Sequence, residues 1–388
     1  MTTQSILFLL FLIFAGSALT ATIALYARQA IMLAYIAVGL ICGPALTGLI
    51  DDTALIDDIA QVGIIFLLFL LGLSLEVKDL LRLFNEAVRV TALSCAAFFS
   101  LGYALAYFGG FNQTERLIVG AAMMFSSTIV ALRLLPTSAL HHQRMGEVIV
   151  AILLLQDLIA ILILLFIQGL SGGEFNPSKL LPMLALPLII LAAGWFANTV
   201  LKRLMSQFDQ IQEYLFLLTI GWCLGLAELS HALGLSHEIG AFVAGVSLAT
   251  SPIARYLAET LKPLRDFFLI IFFFTLGAGF DIIGFKAVWP LAVALAASAL
   301  VLKPVIFTAL FKREHEKSRM AKEAGVRLGQ ISEFSLLLTV VAERSGLIGT
   351  EAALALTGAS IMSFAVSSYF IVMRYPTPIS LNPELRRD

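Results

Sequence analysis

The chain has 388 residues, 60% of them hydrophobic and 13% charged, with a formal net charge of −1 and a mean hydropathy of +0.95. That much apolar surface excludes an ordinary water-soluble domain, and so balanced a charge gives no sign of a nucleic-acid partner. Polar residues fall in short clusters between long apolar runs, the pattern of an all-α polytopic membrane protein.

Thirteen spans are predicted, at about residues 5–25, 31–50, 59–75, 87–108, 115–135, 147–168, 179–200, 212–229, 236–250, 264–280, 287–310, 325–343 and 351–373. The first lacks a basic leader and a cleavage site and reads as a retained helix. The second holds Gly39 and Gly43 at a spacing that suggests close helix packing. Between it and the third, Asp51, Asp52, Asp57 and Asp58 form an acidic patch that a solvated loop or weak cation attraction explains equally. Cys42, Cys95 and Cys223 each stand alone within a span and read as small core residues.

The fifth span carries Phe125-Ser126-Ser127-Thr128 at its centre. Consecutive hydroxyls compete for backbone hydrogen bonds and favour local unwinding, although back-bonding to the preceding turn is the alternative. The sixth holds Gln156-Asp157 in the middle of residues 149–167 (IVAILLLQDLIAILILLFI). A carboxylate at that depth costs about 2.5–3.5 kcal/mol on insertion scales, so it persists where it is used or well partnered. Such an acid holds a cation when ionised and a proton when neutral.

Lys303 lies mid-span in the eleventh run beside Pro304. It requires a carboxylate, a helix C-terminal end or neutrality, with snorkelling as the competing account. The twelfth contains Gly329-Gln330-Ile331-Ser332-Glu333-Phe334-Ser335, a second polar break in an apolar helix. Glu333 would suit an interior helix N-terminus as Lys303 would suit a C-terminus. Two polar breaks in corresponding spans predict a pair of crossed, discontinuous helices. His141, His142 and His315 fall in basic loops and His231 and His237 in a turn, and all read as solvated. Glu76, Asp79, Asp281 and Glu228 lie at span ends facing water.

Basic residues set the expected orientation. With the N-terminus outside, the inside segments collect 19 Lys and Arg and the outside segments 4, Lys303 and Arg327 completing the 25. This predicts thirteen transmembrane helices, N-out and C-in. Leu71-Gly72-Leu73-Ser74-Leu75-Glu76 ends the third span, and Leu276-Gly277-Ala278-Gly279-Phe280-Asp281 ends the tenth, 205 residues on. An odd number of helices separates them, so the second copy is inverted, and such repeats place the substrate at the midplane between halves.

Taken together these residues resemble the monovalent cation:proton antiporter-2 family, and within it the Kef-type potassium/proton antiporters. The likeness is carried by Gly43-Pro44, Gly72 to Glu76, Phe125 to Thr128, Gln156-Asp157, Leu235-Ser236 with Gly240 to Gly245, Lys303, and Glu333-Phe334-Ser335, and it runs along the whole chain. The resemblance implies a sodium/proton-antiporter-like fold within residues 1–375. A scaffold or dimer part comes from about 1–85 and 212–285, a linker helix from 179–200, and an ion-carrying core from about 87–168 and 287–373. It also implies a homodimer with an elevator-type core in the inner (cell) membrane of a bacterium. Residues 376–388 read as a short cytoplasmic tail; the C-terminal nucleotide-binding regulatory domain of Kef-type proteins is missing from this sequence, which is either a bare transporter core or a longer chain cut there. Their acidic regulatory loop before the tenth span is reduced here to one acid, Glu259 in Tyr256 to Lys262, so glutathione gating is not carried over.

Within that family Gln-Asp at this position is similar to the potassium transporters, and a single carboxylate offers one charge for one monovalent cation or one proton. The expected activity is electroneutral exchange of K⁺ for H⁺, with no cofactor. Asp157 would be the carrier, and Gln156, Ser126, Ser127 and Thr128 would complete an oxygen cage for the metal ion, by side chain or backbone carbonyl. Lys303, Glu333 and Ser332 would balance the crossed helix ends. A Na⁺/H⁺ antiporter of the same fold and a gated, channel-like K⁺ pathway stay open as alternatives. An organic-anion symporter lacks a basic cluster within the spans beyond Lys303 and Arg327, and no nucleophile–base pair, metal cluster or phosphate loop suggests an enzyme.

Overall fold

The computed structural model describes residues 6–50, 54–73, 84–135, 144–169, 189–208, 210–249, 251 and 253–377. Ser74, Leu75, Glu76, Asp79, Asp51, Asp52, His141, His142 and residues 179–188 of the seventh predicted span lie outside the described residues. The described chain is helical: α1 (Ile6–Tyr26), α2 (Ile31–Cys42), α3 (Ala54–Leu73), α4 (Phe84–Phe108), α5 (Gln113–Met123), α6 (Thr128–Arg133) and α7 (Arg144–Gly169). Residues 189–196 then pass through a π-helical turn, Ala197–Leu201, into α8 (Lys202–Gln207). There follow α9 (Gln212–Ala232), α10 (His237–Ala249), α11 (Ala254–Thr260), α12 (Lys262–Ala278), α13 (Ile282–Arg313), α14 (Ser318–Arg327), α15 (Glu333–Arg344) and α16 (Thr350–Arg374).

Among the described residues six helices are long and apolar enough to cross a membrane: α1, α9, α13, α16, Ala87–Phe108 of α4 and Met145–Leu164 of α7. Among the described residues, helices occupy the positions of the predicted spans, and the fifth and twelfth are each made of two pieces, as their polar breaks suggest. Two other spans differ in extent. The eleventh, α13, is 32 residues long because Asp281 caps its start through Ile283 N–H and neither Pro290 nor Pro304 ends it. The second stops at Cys42, where Gly43-Pro44 closes the helix and Gly48, at φ 59°, turns the chain back.

Helix packing falls into two sets. In one, α2 lies along α12, α3 along α10 and α12, α9 along α10, and α1 on α2. In the other, α13 packs on α16, α14 and α4, α4 on α5 and α7, and α15 on α5, α7 and α16. The first set is held by glycines at closely matching places. A Cβ at Gly39 would overlap the Phe274 carbonyl, and one at Gly277 the Ile36 carbonyl. Equivalently, a Cβ at Gly245 would overlap the Phe69 carbonyl, and one at Gly72 would lie 2.6 Å from the Phe242 carbonyl. Gly72 and Gly277 are the two repeat glycines, so the α3–α10 contact is reproduced by α12–α2, as a two-fold relation between halves requires. In a bilayer, where apolar side chains gain little by leaving lipid, such backbone approach is the main source of helix affinity.

Substitution tests this. Gly39→Ala is expected to destabilise by about 1–3 kcal/mol, as overpacking does, whereas Gly225→Ala, which meets open space, leaves the melting temperature in detergent unchanged or raised. Equal effects of the two substitutions would contradict the close-packed crossing.

Candidate functional site

The two broken helices meet at the centre of the second packing set. Between α5 and α6, Met124 to Ser127 are not helical, and between α14 and α15 the same holds for Leu328 to Ser332. Each second piece begins with a hydroxyl cap: Ser127 Oγ accepts Val130 N–H at 3.1 Å, and Ser332 Oγ accepts Phe334 N–H at 3.1 Å. The serines that weaken the helix in sequence are the groups that terminate it in space.

A break at this depth leaves backbone groups that lipid cannot satisfy, and several of them find a side chain. Ser126 N–H donates to Gln156 Oε1 at 2.9 Å, and Ile331 N–H, 205 residues on, donates to Ser363 Oγ at 3.1 Å. The carbonyls of Phe125 and Gln330, again 205 apart, both accept from Lys303 Nζ, at 2.6 and 3.3 Å. Ser126 Oγ donates to the Leu328 carbonyl at 2.8 Å and Gln330 Nε2 to the Ser127 carbonyl at 3.3 Å, tying one break directly to the other. Ser335 Oγ donates to the Ala122 carbonyl at 2.6 Å, and Ser367 Oγ to Gln330 Oε1 at 3.2 Å.

Lys303 is fully buried, with its ammonium 5.0 Å from the Phe98 ring centroid. Of the partners open to it in the sequence, it uses helix C-terminal carbonyls. Gly325 and Gly329 bring α13 close enough for this: a Cβ at either would lie 2.7 Å from Pro304 atoms. Glu333 is the first residue of α15 and is buried, so its carboxylate sits at an interior helix N-terminus, where the helix dipole favours negative charge.

Asp157, on α7, is 3% exposed, and Thr128 Oγ1 lies 3.1 and 3.3 Å from its two carboxylate oxygens. Among the described residues no Lys, Arg or His is within ion-pair distance of it. Of the expected cage, therefore, Thr128 alone reaches the carboxylate by its side chain. Gln156, Ser126 and Ser127 are fully buried beside it, but their side-chain oxygens are engaged in the break. They shape the site first of all by holding its backbone. Ser363, Ser367 and Gln330 belong to the same network, and nothing in the sequence alone assigns them a role. Ser360, Ser363 and Ser367 do form a hydroxyl stripe at helical spacing along α16.

Oxygen donors around one carboxylate suit a hard monovalent cation or a proton. Among the described residues no group of three or more His, Cys, Asp or Glu gathers as a multidentate metal site. His231 and His237 stack at 4.1 Å in the α9–α10 turn, well away in sequence from these elements.

Two interrupted helices joined at buried polar breaks, beside the buried carboxylate of Asp157, define an ion transporter of the inverted-repeat class. The overall fold is similar to that of the sodium proton antiporter MjNhaP1 from Methanocaldococcus jannaschii, with a TM-score of 0.71 over 97% of this chain and 96% of that one, at 15% identity. The sodium/hydrogen exchanger transmembrane family matches residues 8–373, and the chain belongs to it.

Relatives include K(+) efflux antiporter 5 of Arabidopsis thaliana, 30% identical over 92% of this chain and 64% of that protein. The glutathione-regulated potassium-efflux system protein KefC of Salmonella schwarzengrund is 29% identical over 93% and 59%. The iron transporter MagA of Paramagnetospirillum magneticum is 25% identical over 89% and 80%. The chain thus spans about three fifths of the length of the potassium-efflux relatives. Family and relatives alike are membrane transporters and not enzymes, in line with the Kef-type resemblance read from the motifs.

Lys303→Met should cost about 1.5–3 kcal/mol, the worth of hydrogen bonds to a charged group, because the Phe125 and Gln330 carbonyls lose their common donor. Thermal unfolding in detergent measures it, and a melting temperature equal to wild type would show that the ammonium does not hold the breaks together.

Proposed function

We propose that this chain is a secondary active antiporter that exchanges a monovalent cation, K⁺ in preference to Na⁺, for H⁺ at 1:1. The observation that carries the reading is Asp157: a buried carboxylate whose described contact is a neutral threonine hydroxyl, in a site where the nearby lysine is committed to backbone carbonyls. A carboxylate locked to Lys303 would be a structural ion pair. One without a fixed cation takes its counter-charge from the transported species, K⁺ in one half-cycle and H⁺ in the other. Because Gln156 is neutral and Lys303 is not paired with an acid, one charge is exchanged for one, and the cycle is electroneutral. Family membership and relatives that carry the name potassium-efflux antiporter support the same reading.

The chain crosses the bilayer thirteen times, N-out and C-in, following its Lys and Arg distribution. The set built on α2, α3, α10 and α12 is the scaffold and homodimer part, and the set around α5 to α7 and α13 to α16 is the mobile core that carries Asp157 between faces as an elevator. Gln156, Ser126 and Ser127 supply the cation's remaining oxygens, in part through backbone carbonyls. Lys303, Ser332 and Glu333 keep the two breaks charge-balanced as the core moves. An organic-anion cargo is disfavoured, since the two basic groups buried among the described residues, Lys303 and Arg327, are already hydrogen-bonded within the protein.

Proteoliposomes test this. Asp157→Asn should reduce exchange to background while the protein elutes and melts as wild type. K⁺ and Rb⁺ should drive proton movement at lower concentration than Na⁺ and Li⁺, and an imposed voltage should not change the rate. Where proton and cation compete for one protonated site, each unit fall in pH raises the apparent KM for the cation by about tenfold. Full exchange by Asp157→Asn would remove the carrier, a Na⁺ preference would make the protein a sodium/proton antiporter, and unitary currents would make it a channel.

A further inference from the structure

Arg327 is the largest fully buried side chain among the described residues, and the ion site does not use it directly. It closes α14, and its guanidinium reaches two other pieces of chain as well as its own helix. Nη1 donates to the Leu134 carbonyl at 2.8 Å, Nη2 to the Pro376 carbonyl at 2.8 Å, and Nε and Nη2 to Glu323 Oε1 at 3.1 and 2.8 Å. The guanidinium carbon stands 5.7 Å from the Tyr375 ring centroid. Burying a guanidinium is costly unless it is paired and hydrogen-bonded, and Glu323, one turn earlier on α14, supplies the charge. That leaves the rest of the planar fork free to bridge two carbonyls, a geometry lysine cannot reproduce.

The two bridged carbonyls give the fork its meaning. Leu134 directly follows α6, which has six residues and is far too short to be stable by itself. Thr128, at the other end of α6, is the residue that touches Asp157. Alpha6 is thus a strut about 9 Å long, pinned to the carboxylate at its start and to Arg327 at its finish. Pro376 and Tyr375 are where the chain leaves α16, and Thr377 beside them is fully buried, so this exit is built into the protein interior.

We propose that Arg327 is a positioning residue for cation/proton exchange: through α6 it holds Thr128 against Asp157, and the Tyr375–Pro376 exit from α16 fixes where Arg327 sits. This rests on the antiporter reading. A displacement of the chain just beyond α16 is then transmitted to the ion site across one guanidinium, without contact between the two. Any regulator acting on that exit would alter cation affinity before it altered the fold.

The experiment compares the full chain with Thr128→Val, Arg327→Lys, Tyr375→Ala and the double variant Thr128→Val/Arg327→Lys in proteoliposomes, reading KM, maximal rate and pH profile. Arg327→Lys and Tyr375→Ala should each raise the cation KM by about threefold or more, in the direction of Thr128→Val, and the double variant should be no worse than Thr128→Val alone, since coupled residues are not additive. Additive effects, an unchanged KM, or a uniform loss of rate with the pH profile kept would each overturn the proposal and leave Arg327 a structural tie. If Arg327→Lys fails to fold, Tyr375→Ala combined with Thr128→Val decides by the same criterion. Wild-type protein without cation/proton exchange would defeat the antiporter reading itself, and this proposal with it.

Discussion

Lys303 makes the interior of this protein possible. Two helices are cut inside the membrane-spanning bundle, and each cut presents carbonyl oxygens with the negative end of a half-helix dipole behind them. Brought together without a cation, those ends would repel in a medium that screens poorly. One ammonium placed between the Phe125 and Gln330 carbonyls satisfies both. Its reach depends on α13 passing close to the second break, which depends on Gly325 and Gly329 having no side chain. A lysine, a proline and two glycines from separate stretches of sequence therefore act as one unit. The freedom of Asp157 follows from it, because a lysine spent on carbonyls is not available to neutralise the acid.

The parts of this arrangement that break a rule were legible in the sequence. A lysine, an aspartate and two polar interruptions in apolar helices stand out because each is costly in lipid, and each lies at the site. Helix positions followed from hydropathy for the same reason. The partners were less legible. Ser126 and Ser127 could be read as cation ligands from their chemistry, yet a serine hydroxyl serves a backbone carbonyl or amide as readily as an ion. Which it does depends on where Leu328 and Val130 lie. Gln156 reads from sequence as an oxygen donor to the cation, with no sign there that its side-chain oxygen also accepts the Ser126 amide. Ser363 and Ser367 gave only a stripe along a helix, and serines in apolar helices usually bond their own preceding turn, as Ser360 does to Leu356. Arg327 was counted with the basic residues and assigned no role, because nothing local marks an arginine that bridges Leu134 to Pro376.

The scaffold contacts and the site show the same repeat at different levels. Gly72 and Gly277 are 205 residues apart, and so are Phe125 and Gln330, Ser126 and Ile331, and Ser127 and Ser332. At every one of these pairs the backbone is treated alike: a close helix crossing, a carbonyl given to Lys303, an amide given to a neighbouring helix, a hydroxyl cap. The constraint is on the main chain, whose hydrogen bonds must be met in both halves whatever the side chains are.

Chemistry enters where the pairing fails. The same spacing sets Thr128 against Glu333, and the amide-capping partner is Gln156 in one half and Ser363 in the other. In the first half the residue after the capping glutamine is Asp157, whereas in the second the residue after Ser363 is Phe364, fully buried and apolar. So a fold with two equivalent breaks has an acid facing a hydroxyl at one of them and an acid at a helix start at the other. Two identical sites would bind and release independently. A single asymmetric one, with Glu333 held at the head of α15 and Asp157 touched by Thr128 on a six-residue strut, leaves one carboxylate whose surroundings can be changed by moving one short helix. The backbone is matched at the two breaks and the side chains are not, which is why the proposed exchange site rests on Asp157, the carboxylate that the short helix touches.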